Sequence, residues 1–135
     1  MLPQKHFLIA GLVITPVAIT LSHPKSVIGV AEWVLVGGFL SVVIDIDIYA
    51  LVFLKSKKEN RLKPFRNPGQ IQRKFKLFMD TITETGVLKT GLKTHLISSA
   101  AIILLSYYFF NDYFIPAALG VMSHIISDIP NLRRL

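Results

Sequence analysis

Four long apolar segments dominate this sequence, and each is close to the length that a helix needs to cross a membrane. About 20 apolar residues span a hydrocarbon core that is ~30 Å thick. The segments cover residues 2–21, 30–54, 86–110 and 113–132. The chain is 52% hydrophobic with a mean hydropathy of +0.54, which is too apolar for a soluble domain. We therefore expect an all-α polytopic membrane protein in which residues 1–135 form a single four-helix transmembrane bundle.

The first apolar segment also has some features of a signal peptide, because Lys5 precedes an apolar run. A signal peptide ends at a cleavage site of small residues, and none follows between Ile19 and Pro24. The segment is therefore interpreted as a retained span.

The second apolar segment contains two adjacent glycines, Gly37 and Gly38. Small residues are typical of contacts between membrane helices because they let two backbones approach closely. We expect a neighbouring helix to pack against this point.

The distribution of positive charge predicts the topology. A net charge of +7 would suggest a nucleic-acid partner in a soluble protein, but in a membrane protein the position of the charge matters more. Of the fifteen Lys and Arg residues, only Lys25 lies outside if both termini and the 55–85 loop are cytoplasmic. The positive-inside rule thus predicts a multi-pass protein of the cytoplasmic (inner) membrane with cytoplasmic termini and no nucleic-acid partner.

The loop at 55–85 is polar and basic, and it contains a predicted amphipathic helix. The apolar residues at helical spacing are Ile71, Phe75, Phe78 and Ile82, and Arg73, Lys74 and Lys76 flank them. Such a helix is attracted to anionic lipid headgroups on the cytoplasmic leaflet. Its apolar face would equally serve to cap the inner mouth of the bundle, and the sequence leaves both interpretations open.

Six ionisable residues lie in or beside the apolar segments, although a charge in the membrane interior is costly. They are His6, Asp45, Asp47, His95, His124 and Asp128. A helix rises about 1.5 Å per residue, and this rise places four of them roughly 8–15 Å below the inner boundary of the membrane: Asp45, Asp47, His124 and Asp128. His95 and His6 reach a similar position if their helices begin near Gly86 and Leu2. The six residues thus predict one cytoplasm-facing metal site within the membrane.

Helical spacing relates these residues to one another. His124 and Asp128 are four residues apart, so they share one helix face. Asp45 and Asp47 differ by about 200° around a regular helix, so both point inward only if the backbone departs from helical geometry there. Otherwise one is a ligand and the other supports the site. His23 is assigned to an outer turn and not to the site.

The sequence has no cysteine, so any metal is held by imidazole and carboxylate groups. This ligand set favours Zn²⁺, with Mn²⁺ or Fe²⁺ as alternatives, over the oxygen-binding Mg²⁺ and Ca²⁺. Each residue also has a simpler explanation. His124 would serve as a hydrogen-bonding contact between helices, and Asp128 would pair with Arg133 or Arg134.

Four short motifs resemble those of the membrane-bound metal-dependent hydrolases, a family of small multispan inner-membrane proteins. The matching stretches, in the family's order, are Lys5-His6, Asp45-Ile46-Asp47, Thr94-His95 and the Gly-x-x-Ser-His-x-x-x-Asp run from Gly120 to Asp128. The resemblance implies a multispan fold and metal-dependent hydrolysis, and it names no substrate.

The chain departs from the family's pattern at two places. Ile44 and Ile48 replace a proline and a histidine around the Asp-x-Asp motif, and Thr90-Gly91-Leu92 replaces a His-Arg-Gly. These differences are compatible with one metal ion instead of two, or with a scaffold that has lost catalysis.

The function that these features favour is hydrolysis of a lipid-borne phosphate ester by a membrane-embedded metal site. A metal ion lowers the pKa of bound water, and Asp47 or Asp128 would act as general base or orient a ligand histidine. The alternatives are a non-catalytic metal-binding or partner-binding membrane protein and, with less support, an ion transporter. A transporter needs a polar path through the outer half as well, and only Thr15, Thr20 and Ser106 are obvious polar residues there, which argues against transport. The sequence is compatible with a homo-oligomer.

Overall fold

The computed structural model describes residues 3–21 and 26–132, and this part of the chain is almost entirely helical, without strands. The helices are α1 (Pro3–Thr20), α2 (Val27–Val43), α3 (Ile46–Lys55), α4 (Pro68–Arg73), α5 (Phe75–Glu84), α6 (Val87–Phe109) and α7 (Phe114–Leu132), with 3₁₀ helices at Asn60–Arg66 and Asn111–Tyr113. The all-α prediction is confirmed. His23, Arg133 and Arg134 lie outside the described residues, so the predictions made for them stay predictions.

Two helical stretches are long and apolar enough to cross a membrane, Val27–Lys55 and Val87–Phe109. The first combines α2 and α3, and the second is α6. Helices α1 and α7 coincide with the other two predicted segments, 2–21 and 113–132. Four membrane spans stay a prediction.

Helices α1, α2 and α7 pack on one another, and glycines set the contact between α2 and α7. A methyl group at Gly120 would overlap the backbone of Gly37, and one at Gly37 would overlap the carbonyl group of Pro116. Gly38 faces the ring of Phe7, which would lie 2.7 Å from an added Cβ atom. The predicted close approach at the glycine pair is therefore confirmed.

Helices α3, α5 and α6 form a second packed group with the 3₁₀ helix Asn60–Arg66. Its buried core comprises Val52, Leu62, Phe65, Ile71, Phe78, Met79, Ile82, Val87 and Leu88. The apolar face of α5 is thus turned into this core, which agrees with the capping interpretation of the amphipathic loop helix. Gly86, with φ of 68°, provides the left-handed residue that turns the chain from α5 into α6.

The two groups meet at the break between α2 and α3 and along the contact between α6 and α7. The outer part of the first group is apolar, with Ala10, Ile14, Ala18 and Trp33 in its core. The ionisable residues gather where the two groups join.

We expect Gly120→Ala to destabilise the fold by about 1–3 kcal/mol, because the added methyl group must displace backbone atoms of α2. The measurement is thermal unfolding in detergent, followed by the fluorescence of the single tryptophan, Trp33. Gly11→Ala is the control, since its Cβ atom would lie 3.4 Å from Val34 Cγ1, an ordinary contact. Equal melting temperatures for the two variants would contradict the packing argument.

Candidate metal site

Three helical segments bring four of the predicted residues to one point. His6 comes from α1, Asp45 from the break between α2 and α3, and His124 and Asp128 from α7. One ligand atom from each of these four residues lies within 4.8 Å of all the others. Both histidines are completely buried. We call these four residues the metal cluster.

The backbone departs from regular helix at Asp45. The amide of Asp45 donates to the carbonyl of Val42 at 3.1 Å, and that of Asp47 donates to the carbonyl of Ile44 at 3.4 Å. These bonds connect residues three apart, as in a 3₁₀ helix, so the regular α-helix is interrupted here for one turn. This departure is the condition under which both aspartates can point inward, and both do so: Asp45 joins the metal cluster and Asp47 contacts a neighbouring histidine.

In the metal cluster, the Nε2 atom of each histidine faces one carboxylate oxygen of Asp45 and one of Asp128. His6 Nε2 lies 3.7 Å from Asp45 Oδ2 and 3.7 Å from Asp128 Oδ1. His124 Nε2 lies 3.8 Å from Asp45 Oδ1 and 3.5 Å from Asp128 Oδ2. These separations are too long for hydrogen bonds. They are close to the ~3.3–3.4 Å that separates ligand atoms around tetrahedral Zn²⁺ with bonds of about 2.0–2.1 Å.

A hydrogen bond determines which nitrogen of neutral His6 faces the cluster. The Ser127 hydroxyl donates its one hydrogen to the His124 carbonyl at 2.8 Å. Ser127 Oγ therefore accepts from His6 Nδ1, which lies 2.9 Å away. The lone pair of His6 Nε2 then points toward two carboxylates. A cation between these groups would convert that repulsion into coordination.

Four buried imidazole nitrogens lack hydrogen-bond partners within the described part of the chain. They are the Nε2 atoms of His6, His95 and His124 and the Nδ1 atom of His124. Buried polar atoms are nearly always paired, so a cluster of exceptions needs an explanation. Two carboxylates balance the charge of one divalent cation, and such an ion would satisfy the nitrogens that face it. The residues present therefore fit a metal ion.

His95 lies beside the metal cluster and is held by Asp47. Asp47 Oδ2 is 2.7 Å from His95 Nδ1 and 2.7 Å from Thr94 Oγ1. On its other side, His95 Nε2 lies 3.5 Å from Asp45 Oδ1 and 4.0 Å from Asp128 Oδ2. Helix α6 begins at Val87, which meets the condition under which His95 shares the depth of the other residues. Asp47, predicted as a metal ligand and as a catalytic residue, thus contacts the cluster through His95.

Two cavities reach the cluster, and both have apolar walls. One of about 50 Å³ lies under α5, where Tyr49, Phe78 and Met79 are among its lining residues. The other, of about 110 Å³, lies between α6 and α7. His95 and Asp128 line both cavities. A molecule in either cavity would contact the edge of the metal cluster.

Sequence reasoning missed two residues of the site. Ser127 orients His6, and Tyr49 lines the cavity under α5. Ser127 is one helical turn from His124 in an apolar helix, and that position was the available signal. Tyr49 gave no signal, since an aromatic residue in an apolar segment is usually part of the packing.

Comparison with known proteins identifies no relative. No family model, curated protein or solved structure matches the chain. The resemblance to the membrane-bound metal-dependent hydrolases consequently rests on the motif residues alone. The geometry of those residues supports a metal site independently of the family.

We expect purified protein to bind about one Zn²⁺ per chain, and His124→Ala and Asp128→Ala each to lose it, since either change removes one of four ligands. Metal is quantified by elemental analysis after free ions are removed. Asp112→Ala is the control, because Asp112 lies in the 3₁₀ helix between α6 and α7, away from the cluster. Full metal content in both cluster variants would refute the site.

Proposed function

We propose that this protein spans the cytoplasmic membrane four times and hydrolyses a lipid-borne phosphate ester at a cytoplasm-facing metal site. It would then act as the membrane-bound metal-dependent hydrolases that its motifs resemble. The observation that carries the proposal is a set of buried imidazole nitrogens around Asp45 and Asp128, beside two apolar cavities, that have no hydrogen-bond partner among the residues described.

The outer surface of the helices supports four spans. Large apolar side chains are exposed on α1, α2, α6 and α7, including Leu12 at 76%, Ile28 at 78%, Ile97 at 70% and Ile126 at 60%. A soluble monomer rarely exposes so much contiguous apolar surface. Lipid tails would cover these side chains. The basic residues around the loop at 55–85 favour a cytoplasmic position for that loop by the positive-inside rule.

His6, Asp45, His124 and Asp128 would hold the metal ion. When bound, a divalent ion supplies Lewis acidity toward a phosphoryl oxygen and increases the acidity of water. By accepting from His6 Nδ1, Ser127 leaves the lone pair of His6 on Nε2, where it would bind the ion, as a supporting residue does in many metal sites. Asp128 would also contact a substrate in either cavity, since it lines both.

His95 transfers the proton in this mechanism. With Nδ1–H donated to Asp47, the neutral ring keeps a lone pair on Nε2, which is turned toward Asp45 and Asp128 where His95 lines the two cavities. Nε2 accepts a proton from water as the water oxygen bonds to phosphorus. The bond between phosphorus and the ester oxygen breaks, and Nε2 returns the proton to that leaving oxygen. Asp47 stabilises the transient imidazolium, and Thr94 helps to hold Asp47 in place.

The walls of the cavities favour a lipid substrate. The cavity under α5 is lined mainly by Leu, Ile, Phe and Met side chains, and the cavity between α6 and α7 mainly by Leu and Ile. These side chains bind hydrocarbon better than a polar metabolite. Anionic headgroups would also be attracted to the exposed cations Arg73, Lys74 and Lys76 beside α5.

A structural metal site is the second candidate function. Four protein ligands are enough to close a tetrahedral Zn²⁺ shell, and the metal cluster offers four. In that case the ion would join α1 and α7 to the break between α2 and α3, and the protein would act through a partner. Ion transport has less support, because the outer core at Ala10, Ile14 and Ala18 is apolar.

We expect zinc-loaded protein to release phosphate from phosphatidic acid or a polyprenyl phosphate. Asp47→Asn and His95→Ala should each lower the rate of release by about 10²–10⁴-fold. Both variants should keep their metal, because neither residue belongs to the four ligands. Phosphate release and metal content are measured on the same samples. Loss of metal together with activity would assign His95 to the ligands. Metal without any turnover would favour the structural site.

We expect a cysteine introduced at Ser26 to react only with reagent added from outside, because this residue begins α2 at the predicted outer end. The chain has no cysteine, so the label reports a single position. A cysteine at Lys58, in the basic loop, should react only from the cytoplasm. The reverse pattern would overturn the topology and with it the cytoplasm-facing site.

A further inference from the structure

The cavity between α6 and α7 leads from the outer surface of the helices to the metal cluster. Leu92, Leu96 and Ile125 form its walls, and His95 and Asp128 lie at its end. Leu96 is 62% exposed, so the mouth of the cavity is on the apolar surface that faces lipid in the proposed topology. A hydrocarbon chain in this position would pass from the bilayer to the cluster without crossing water.

The second cavity, under α5, is smaller. It has less than half the volume, about 50 Å³ against about 110 Å³. Phe78, Met79 and Ile82 of α5 lie over it and are buried in the core that joins α3, α5 and α6. A substrate in this cavity would lie against buried side chains of α5, whereas Leu96, in the wall of the cavity between α6 and α7, is exposed on the outer surface.

A positive charge lies on the same helix face as the mouth of the cavity between α6 and α7. Lys93 is exposed on α6 three residues before Leu96, so the two side chains share a helix face. A lysine in this position extends its ammonium group toward the membrane surface while its methylene groups lie along the apolar face. It would meet an anionic headgroup whose hydrocarbon chain lies beside Leu96.

We propose that the substrate is a membrane amphiphile with an anionic phosphate headgroup, and that it reaches the metal cluster sideways from the bilayer between α6 and α7. Its hydrocarbon chain lies against Leu92, Leu96 and Ile125, and Lys93 attracts its headgroup. The inference rests on the proposed function for the reaction, but binding in this groove can be tested without turnover.

The first test measures occupancy by protection from a thiol reagent. A cysteine is introduced at Ile125, inside the groove, or at Ile97, which is exposed on the neighbouring face of α6 and lines none of the described cavities. Saturating hexadecyl phosphonate, a non-hydrolysable probe, should slow maleimide labelling at Ile125→Cys about tenfold and leave Ile97→Cys unchanged, because a pocket buries most of its ligand. Equal labelling with and without the probe at both positions would overturn the proposal.

The second test blocks the groove. Leu96→Trp fills its mouth, and Ile97→Trp is the matched control on the outer surface. Leu96→Trp should lower phosphate release from hexadecyl phosphate at least about tenfold and spare the short, water-soluble ester methyl phosphate. Equal loss for the two esters, or an effect of Ile97→Trp as large as that of Leu96→Trp, would exclude access through this groove.

The two tests separate the inference from the proposed function. Protection at Ile125→Cys without phosphate release from any ester would support the groove and refute the hydrolase. Phosphate release without protection, and without an effect of Leu96→Trp, would support the hydrolase and refute the groove. If Leu96→Trp fails to fold, the protection measurement alone decides whether the amphiphile binds between α6 and α7.

Discussion

The arrangement of two carboxylates and two imidazoles in an apolar bundle is the constraint on which the rest of this structure depends. Asp45 and Asp128 oppose His6 and His124 at 3.5–3.8 Å, and these distances are too long for hydrogen bonds. Removing charged groups from water is costly unless they are paired or coordinated. A divalent cation between the four residues would balance the charge of both carboxylates and coordinate both imidazoles.

The backbone makes this arrangement possible at two points. The break at Asp45 turns that residue toward the metal cluster and Asp47 toward His95, which a continuous helix would not allow. The contact between Gly37 and Gly120 brings α7 against α2 and so places His124 and Asp128 opposite the break. A small change in either feature would separate the ligands.

The site divides its ionisable residues between two tasks. His6, Asp45, His124 and Asp128 surround one point, whereas Asp47 and His95 form a hydrogen-bonded pair beside it. Under the proposed function the first group holds the metal ion and the pair moves a proton. Because His95 lines both apolar cavities, a lipid chain in either one would bring its headgroup to that pair.

Much of the fold was predictable from local patterns. Apolar segments about 20 residues long predicted the four longest helical regions, and the glycines at 37 and 38 predicted a close helix contact. The spacing of His124 and Asp128 placed both on one face of α7 without any tertiary information. The same pattern allowed two roles for the amphipathic helix, and the packing of Phe78, Met79 and Ile82 into the core corresponds to one of them.

The sequence by itself determined where the long helices lie, which of their residues are chemically unusual for an apolar segment, and that any metal ligands are nitrogen and oxygen atoms. These properties depend on residue type and on spacing along one helix. The sequence did not determine that the amphipathic loop helix is divided at Lys74 into α4 and α5. Only the tertiary structure decided that Asp45 joins the metal cluster while Asp47 supports His95, that Ser127 orients His6, and that the groove between α6 and α7 reaches the site. Each of these depends on how far one helix is rotated and displaced relative to another, and helical periodicity carries no information about that.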